Sequence, residues 1–372
     1  MAILKVQPAL HRFNSFKEFA ATFEIGELDC IFTNEFIYEP FMKDADLKSD
    51  FIFQEKFGTG EPSDEMINAI MAKVKEKEYK RIIAVGGGTI IDISKLLALR
   101  YVSDCKDFFE KTVPIVKDKK LVILPTTCGT GSEVTNISIA EIKSKRTKMG
   151  LAVDELYPED AVLIPEMIRT LPFPVFCTSS VDALIHAIES FVAPRSNPYT
   201  ELFSTRAIKL ILRGYKAIAE KGPDHRHELA EDFLVASNYA GIAFGNTGVG
   251  AVHAMSYPLG GVYHVPHGEA NYQLFVEVFK AYQQKNPHGS IQRLNELLGR
   301  VLGVPADEGV YDVLDQLLSQ LIPLKQLREY GMQEQEVEAF ADSVIAAQQR
   351  LLANNYVELS RDEIRDIYKA RF

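Results

Sequence analysis

The run RIIAVGGGTIIDISKLLAL, residues 81–99, constrains the fold more than any other part of the chain. An unbroken apolar strand ends on Gly86, Gly87 and Gly88, and a helix with an apolar face begins at once. A strand without polar alternation is buried on both faces, which requires a parallel sheet covered by helices on either side. DCIFTN (29–34), FIFQ (51–54) and KLVILPTT (120–127) repeat the pattern, each short, β-rich and bounded by polar or turn residues. The stretch SDEMINAIMAKVKEKEYK between them predicts a helix, with Ser63 or Asp64 as N-cap and lysines in its last turn. Ligands of such a sheet sit at the carboxyl ends of its strands.

From about Pro174 onward strands vanish and segments with a 3.6-residue period take over, from SSVDALIHAIESFVA to RDEIRDIYKARF. A chain of 372 residues also exceeds what one core usually fills. Two domains are therefore expected: an α/β dinucleotide-binding domain with a parallel sheet over 1–176, and an all-α, metal-binding domain over 177–372.

The glycine run after the strand at 81–86 is the stronger of two phosphate-cradle candidates. Gly86, Gly87, Gly88 and Thr89 place backbone N–H groups at a helix N-terminus, where a phosphate is favoured. Asp92 lies one turn into that helix, positioned to bond back to the loop or to favour the helix dipole. No lysine stands where nucleotide triphosphate hydrolysis needs one. The competing FGTGEPS (57–63) lacks the third glycine at the right offset and reads as a turn. The next strand closes on LPTTCGTGSEVT, where Thr126, Thr127, Thr130 and Ser132 offer hydroxyls to a ribose, pyrophosphate or amide. Two such loops on neighbouring strand ends favour a dinucleotide.

A second constellation lies in the helical half. In VDALIHAIES, Asp182 and His186 are one turn apart and project from one helix face, with Glu189 on the same stripe. Further on, VHAMSYPLGGVYHVPHG carries His253, His264 and His267. His11 and His288 read as surface residues, and His225 and His227 lie in a charged loop, so the chemistry draws on His186, His253, His264 and His267 with Asp182. Imidazoles with a carboxylate suit a borderline divalent ion, Fe(II) first and Zn(II) as the alternative.

The net charge of −10 argues against a nucleic-acid partner, which needs basic surface. No apolar run approaches the length of a membrane span, and no secretory signal is visible at MAILKVQPALHRF. Cys30, Cys105, Cys128 and Cys177 are scattered without ligand spacing and read as core residues in a reducing cytoplasm. The expected partner is a small-molecule substrate.

GGGTIID, PTTCGTGSEVT, DALIHAIE and HAMSYPLGGVYHVPHGEAN, in this order and approximate spacing, resemble the signature segments of the iron-dependent (group III) alcohol dehydrogenases. The resemblance covers essentially the whole chain. It implies the fold shared with dehydroquinate synthase, NAD as cofactor, and a homo-oligomer, for which the apolar ILKV segment is a candidate contact. It assigns Asp182, His186, His253 and His267 as metal ligands and leaves His264 outside the set. It implies that the metal polarises the alcohol oxygen while hydride passes to the nicotinamide. Oxidation of 4-hydroxybutyrate to succinate semialdehyde is the preferred activity; another small primary alcohol, diol or lactaldehyde is the alternative within the family. A non-redox NAD/metal lyase of the dehydroquinate synthase kind, or a metal hydrolase without nucleotide, are the rivals from other classes.

The chain departs from the family pattern at several positions. Tyr257 stands where many members carry a histidine that relays the alcohol proton; an ordinary tyrosine hydroxyl, titrating at about 10, is a poor base. His264 is a second catalytic candidate, as relay or facing a substrate carboxylate, a role for which Tyr257, Asn238 and Tyr239 are also candidates. Asn34 takes the place of an aspartate common in NAD-specific relatives, so rejection of NADP is expected to be weaker. Ile164 precedes Pro165 where relatives often carry aspartate, and Lys148 matches a lysine that approaches the cofactor.

Overall fold

A computed structural model describes residues 2–145 and 147–372. The polypeptide divides into two compact units, Val6–Leu171 and Pro172–Phe372, and the N-terminal segment through Lys5 belongs with the second. The division lies ahead of the expected 177 because the helix carrying DALIHAIE already begins at Phe173, Pro174 being tolerated in a first turn whose N–H groups need no intrahelical partner.

The first unit runs β1 (Ala9–Arg12), α1 (Phe16–Thr22), β2 (Asp29–Thr33), α2 (Glu35–Phe41), β3 (Asp50–Phe53) and α3 (Asp64–Val74). It continues with β4 (Arg81–Gly86), α4 (Gly88–Leu97), α5 (Lys106–Glu110), β5 (Lys120–Pro125), β6 (Ile137–Ile142), β7 (Thr147–Ala152), β8 (Asp160–Leu163) and α6 (Glu166–Arg169). Six strands form one sheet in the order β1-β8-β5-β4-β2-β3, and every pairing in it is parallel. Successive residues of the inner strands face opposite cores. Cys30, Phe32, Ile82, Ala84, Leu121 and Ile123 pack on one side; Ile31, Ile83, Val85, Val122 and Leu124 pack on the other. Both faces are dry, so the strands read as continuous apolar runs.

Ser63 caps α3 by accepting the Met66 N–H, and the helix stops at Val74, short of the lysine-rich stretch. β6 and β7 form an antiparallel hairpin in which Ile142 pairs with Thr147, and its buried Ala140, Ile142 and Leu151 join the core with α3 and α4.

The second unit contains α7 (Phe173–Val192), α8 (Pro198–Lys221), α9 (Ala230–Thr247), α10 (Ala251–Tyr263) and α11 (His267–Lys285). α12 (Ser290–Leu302), α13 (Val310–Ser319), α14 (Glu336–Ala347), α15 (Gln349–Leu352) and α16 (Arg361–Arg371) complete it. No strand occurs in it among the described residues. α7 is its central helix, flanked by α8, α9, α11 and α12. It is long and apolar enough to cross a membrane, but 83% of its most apolar window is buried inside the fold. A helix apolar on nearly all sides is what the middle of an all-helical unit needs, and each polar group on it must find a partner there.

Candidate active site

The carboxylates and the imidazole of α7 lie on one stripe, Asp182, His186 and Glu189, all buried. α10 brings His253 to this stripe and α11 brings His267, its first residue. Gly268 makes the second approach possible: a Cβ there would lie 1.9 Å from the Thr178 carbonyl oxygen of α7. One ligand atom from each of Asp182, His186, His253 and His267 falls within 4.8 Å of all the others. Asp182 Oδ1 is 3.7 Å from Nε2 of both His253 and His267, and Asp182 Oδ2 is 3.9 Å from His186 Nδ1. Ligands about 2.1 Å from an ion at tetrahedral angles lie about 3.4 Å apart, so a small divalent ion fits this spacing. The set of one carboxylate and three imidazoles is the one the family resemblance assigned, and the structure brings all four together.

Two further residues complete the cluster. Glu189 Oε2 accepts from His253 Nδ1 at 2.5 Å, while its Oε1 accepts the Val252 N–H at 2.9 Å. A carboxylate at Nδ1 fixes the tautomer whose Nε2 lone pair faces the ligand cluster, the usual arrangement behind a metal-binding histidine. Asn271 is one turn past His267 on α11. Its Nδ2 lies 2.8 Å from Asp182 Oδ1, 3.1 Å from His253 Nε2 and 3.2 Å from His267 Nε2. One carboxylate oxygen and two imidazole nitrogens thus converge on a single amide nitrogen, the same convergence of ligand atoms that a cation satisfies.

Burial pushes the Asp182 carboxyl up, but His186, His267 and His253, with the Asn271 amide, outweigh it and hold the group below the ordinary carboxylate range. Burial lowers His253, and the Glu189 charge and hydrogen bond more than reverse this, leaving it raised. His186 is held flat between Phe244 (centroids 4.2 Å, 17°) and His253 (4.7 Å, 19°). His267 is the open member, with 38% of its side chain exposed, so a small molecule reaches the cluster from its side.

Tyr257, one turn after His253, brings its ring to 6.3 Å from that of His267. His264 is not brought to the cluster: it ends α10 in the left-handed conformation (φ 53°) with an exposed side chain. Asn238 is buried on α9, and the Tyr239 ring packs on Phe203 of α8.

In the first unit the crest of the sheet carries the other candidates. A Cβ on Gly87 would sit 3.2 Å from Thr127 Cγ2, and one on Gly88 would sit 3.1 Å from Thr130 Cγ2. The two polar loops therefore close on each other across bare backbone, and the Thr126 N–H donates to the Gly86 carbonyl. This glycine backbone at the start of α4, ringed by threonine side chains, fits a dinucleotide pyrophosphate. Thr89 Oγ1 donates to the Gly60 carbonyl, so the loop that reads as a plain turn at 57–63 folds against the cradle. Lys148, on β7, forms an ion pair with Glu61 of the same loop. Asp92 does not bond back to the glycines. Its carboxylate accepts from Ser132 Oγ (3.0 Å) and the Ile139 N–H (3.0 Å), and its carbonyl accepts from Ser138 Oγ.

Beside it Lys95, fully buried, donates to Ser132 Oγ (2.7 Å), Thr135 Oγ1 (3.1 Å) and the Ile137 carbonyl (2.6 Å). Burial brings the Lys95 ammonium down to about 8 and raises Asp92, so desolvation outweighs the attraction between two groups 4.0 Å apart. Asn34 caps the sheet end of β2, and its Nδ2 donates to Gln54 Oε1 at 3.1 Å.

Two family models match the chain: the iron-containing alcohol dehydrogenases over residues 27–165, and the C-terminal part of the Fe-containing alcohol dehydrogenase family over 176–372. The 4-hydroxybutyrate dehydrogenase of Clostridium kluyveri is 58% identical over 369 residues, 99% of each chain. Long-chain-alcohol dehydrogenase 1 of Geobacillus thermodenitrificans is 32% identical over 84% of this chain and 80% of its own. Among solved structures, sulfoacetaldehyde reductase from Bifidobacterium kashiwanohense in complex with NAD+ superposes with a TM-score of 0.85 at 22% identity, covering 99% of this chain and 98% of its own.

Proposed function

The chain belongs to the iron-containing alcohol dehydrogenase family, and on that premise we propose that it oxidises 4-hydroxybutyrate reversibly to succinate semialdehyde with NAD. The observation that carries the substrate assignment is the full-length identity to the Clostridium kluyveri enzyme. A cytoplasmic homo-oligomer belongs to the same proposal.

When bound, a divalent ion, Fe(II) by preference, would supply Lewis-acid polarisation and NAD the hydride acceptor. Asp182, His186, His253 and His267 would hold the ion, with Glu189 keeping His253 in the ligating tautomer. The exposed edge of His267 leaves the approach that a catalytic site needs. Gly86, Gly87, Gly88 and Thr89 hold the pyrophosphate, and Thr126, Thr127 and Thr130 address the ribose or amide beside it. Lys148 steadies the loop at Gly60 through Glu61, and Asp92 supports the cradle from beneath. Oxidation also releases one proton. We assign its relay to the Tyr257 hydroxyl, next to His267; this hydroxyl accepts it as it passes its own proton to solvent. His264, exposed at the end of α10, is the candidate acceptor outside the cluster.

The test is NADH formation by purified protein reconstituted with Fe(II), given NAD and 4-hydroxybutyrate alongside a panel of diols and simple alcohols. NADH with 4-hydroxybutyrate at much lower KM than with the panel is the expected result. NADH only with the panel overturns the substrate, and none with any alcohol overturns the dehydrogenase assignment.

A further inference from the structure

We propose that Glu55 sets the preference for NAD over NADP, supplying the negative charge that Asn34 lacks. The proposal rests on the dehydrogenase assignment above and concerns one end of its cofactor site. In the sheet order, β4 with its glycine cradle is followed by β2 and then β3. A dinucleotide whose pyrophosphate sits at the cradle extends its adenosine along the crest, and an acid at a neighbouring strand end addresses the ribose 2′-hydroxyl. Asn34 ends β2 without charge, and its amide is committed to Gln54, whose own amide donates to the Gly60 carbonyl. Thr33 pairs with Phe53 in the register of β2 and β3, so the residues that follow each strand emerge side by side.

Glu55 is the second residue past β3, and its Oε1 accepts the Glu35 N–H, directly after Asn34, at 3.2 Å. Its Oε2 has no hydrogen-bond partner among the described residues. The neighbouring cation, Lys56, lies over the Phe53 ring at 5.0 Å. A half-buried carboxylate answered by one backbone N–H keeps its field. At this strand end that field repels a 2′-phosphate, which brings a charge of about −2, and tolerates a 2′-hydroxyl.

Glu55 also closes the first turn of α2, so the test must separate charge from capping. Glu55→Gln keeps the acceptor for the Glu35 N–H and removes only the charge; Glu55→Ala removes both. Dissociation constants of the metal-loaded full chain for NADH and NADPH are measured by calorimetric titration, with a thermal midpoint for each variant. The wild type is expected to bind NADH at least about tenfold tighter than NADPH, and both variants to shrink that ratio by about tenfold, mainly by tightening NADPH. A ratio that stays within about twofold of the wild type in both variants overturns the proposal; a lower midpoint with that same ratio assigns Glu55 to capping alone. Binding of neither dinucleotide by the wild type overturns the dehydrogenase assignment itself, and this inference with it. A wild type that binds NADH and is indifferent to Glu55 overturns the inference only.

Discussion

Glu189 and Asn271 show what single residues add to a metal centre beyond its ligands. The 2.5 Å contact of Glu189 with His253 fixes a ring whose other nitrogen faces the cluster. Glu189→Gln retains the shape and loses the charge, so divalent-metal affinity is expected to fall about 10- to 100-fold. Competition with a chromophoric chelator measures this, and unchanged affinity would remove Glu189 from the site. Tyr257→Phe tests the proton path: kcat for alcohol oxidation should fall about 10- to 100-fold with KM little changed. Equal loss in kcat and in metal affinity would make Tyr257 a packing residue. The spacing of Asp182 and His186 made one half of the site legible, because four residues on a helix is one turn. Asn271 stands in the same relation to His267, so its signal was present in the sequence and went unread. Glu189 was visible on the stripe, but its partner is distant in the chain, and no local pattern ties the two.

At the scale of elements, helix proximity decides whether the ligands meet. Gly268 lets α11 lie against α7 where a methyl group would overlap the Thr178 carbonyl. Gly268→Ala must push the helices apart, at a cost on the order of 3 kcal/mol, and should reduce metal binding while leaving NADH binding intact. Parallel chelator and NADH titrations of the variant decide it, and metal affinity at the wild-type level would refute the packing argument. α4 offers a second case, since Lys95 ties it to the segment leading into β6. Its ammonium is brought to about 8 in the fold from an ordinary 10.5. Below pH 8 both folded and unfolded chains hold the proton and there is no slope. Between these two values the unfolded chain binds more protons, so the contribution of Lys95 to stability rises with pH. The stability difference between wild type and Lys95→Met should therefore shift in favour of the wild type by on the order of 3 kcal/mol across that window. Denaturant unfolding at stepped pH measures it; a flat difference would mean that Lys95 titrates normally.

For the whole molecule, the change from strand-and-helix to helix-only sequence announced two units, because burial on both sheet faces erases alternation while the second half keeps a helical period. The antiparallel hairpin of β6 and β7 was hidden by the charged residues of its turn, and β1 by its exposed, partly polar edge position. The two sets of candidate residues come from different segments of the chain, which predicts separable protection in hydrogen exchange. Metal should slow exchange in α7, α10 and α11, and NADH should slow it in Gly86–Asp92 and Thr126–Ser132. Protection of all these segments by either ligand alone would refute the separation. Chain order adds a consequence for biosynthesis. Among the described residues β1 pairs only with β8, which is synthesised some 150 residues later. The backbone at Lys5 is bonded on both sides by Asn246, later still. Residues 5–12 are therefore synthesised long before their partners, and these contacts cannot close until the chain has grown past Asn246.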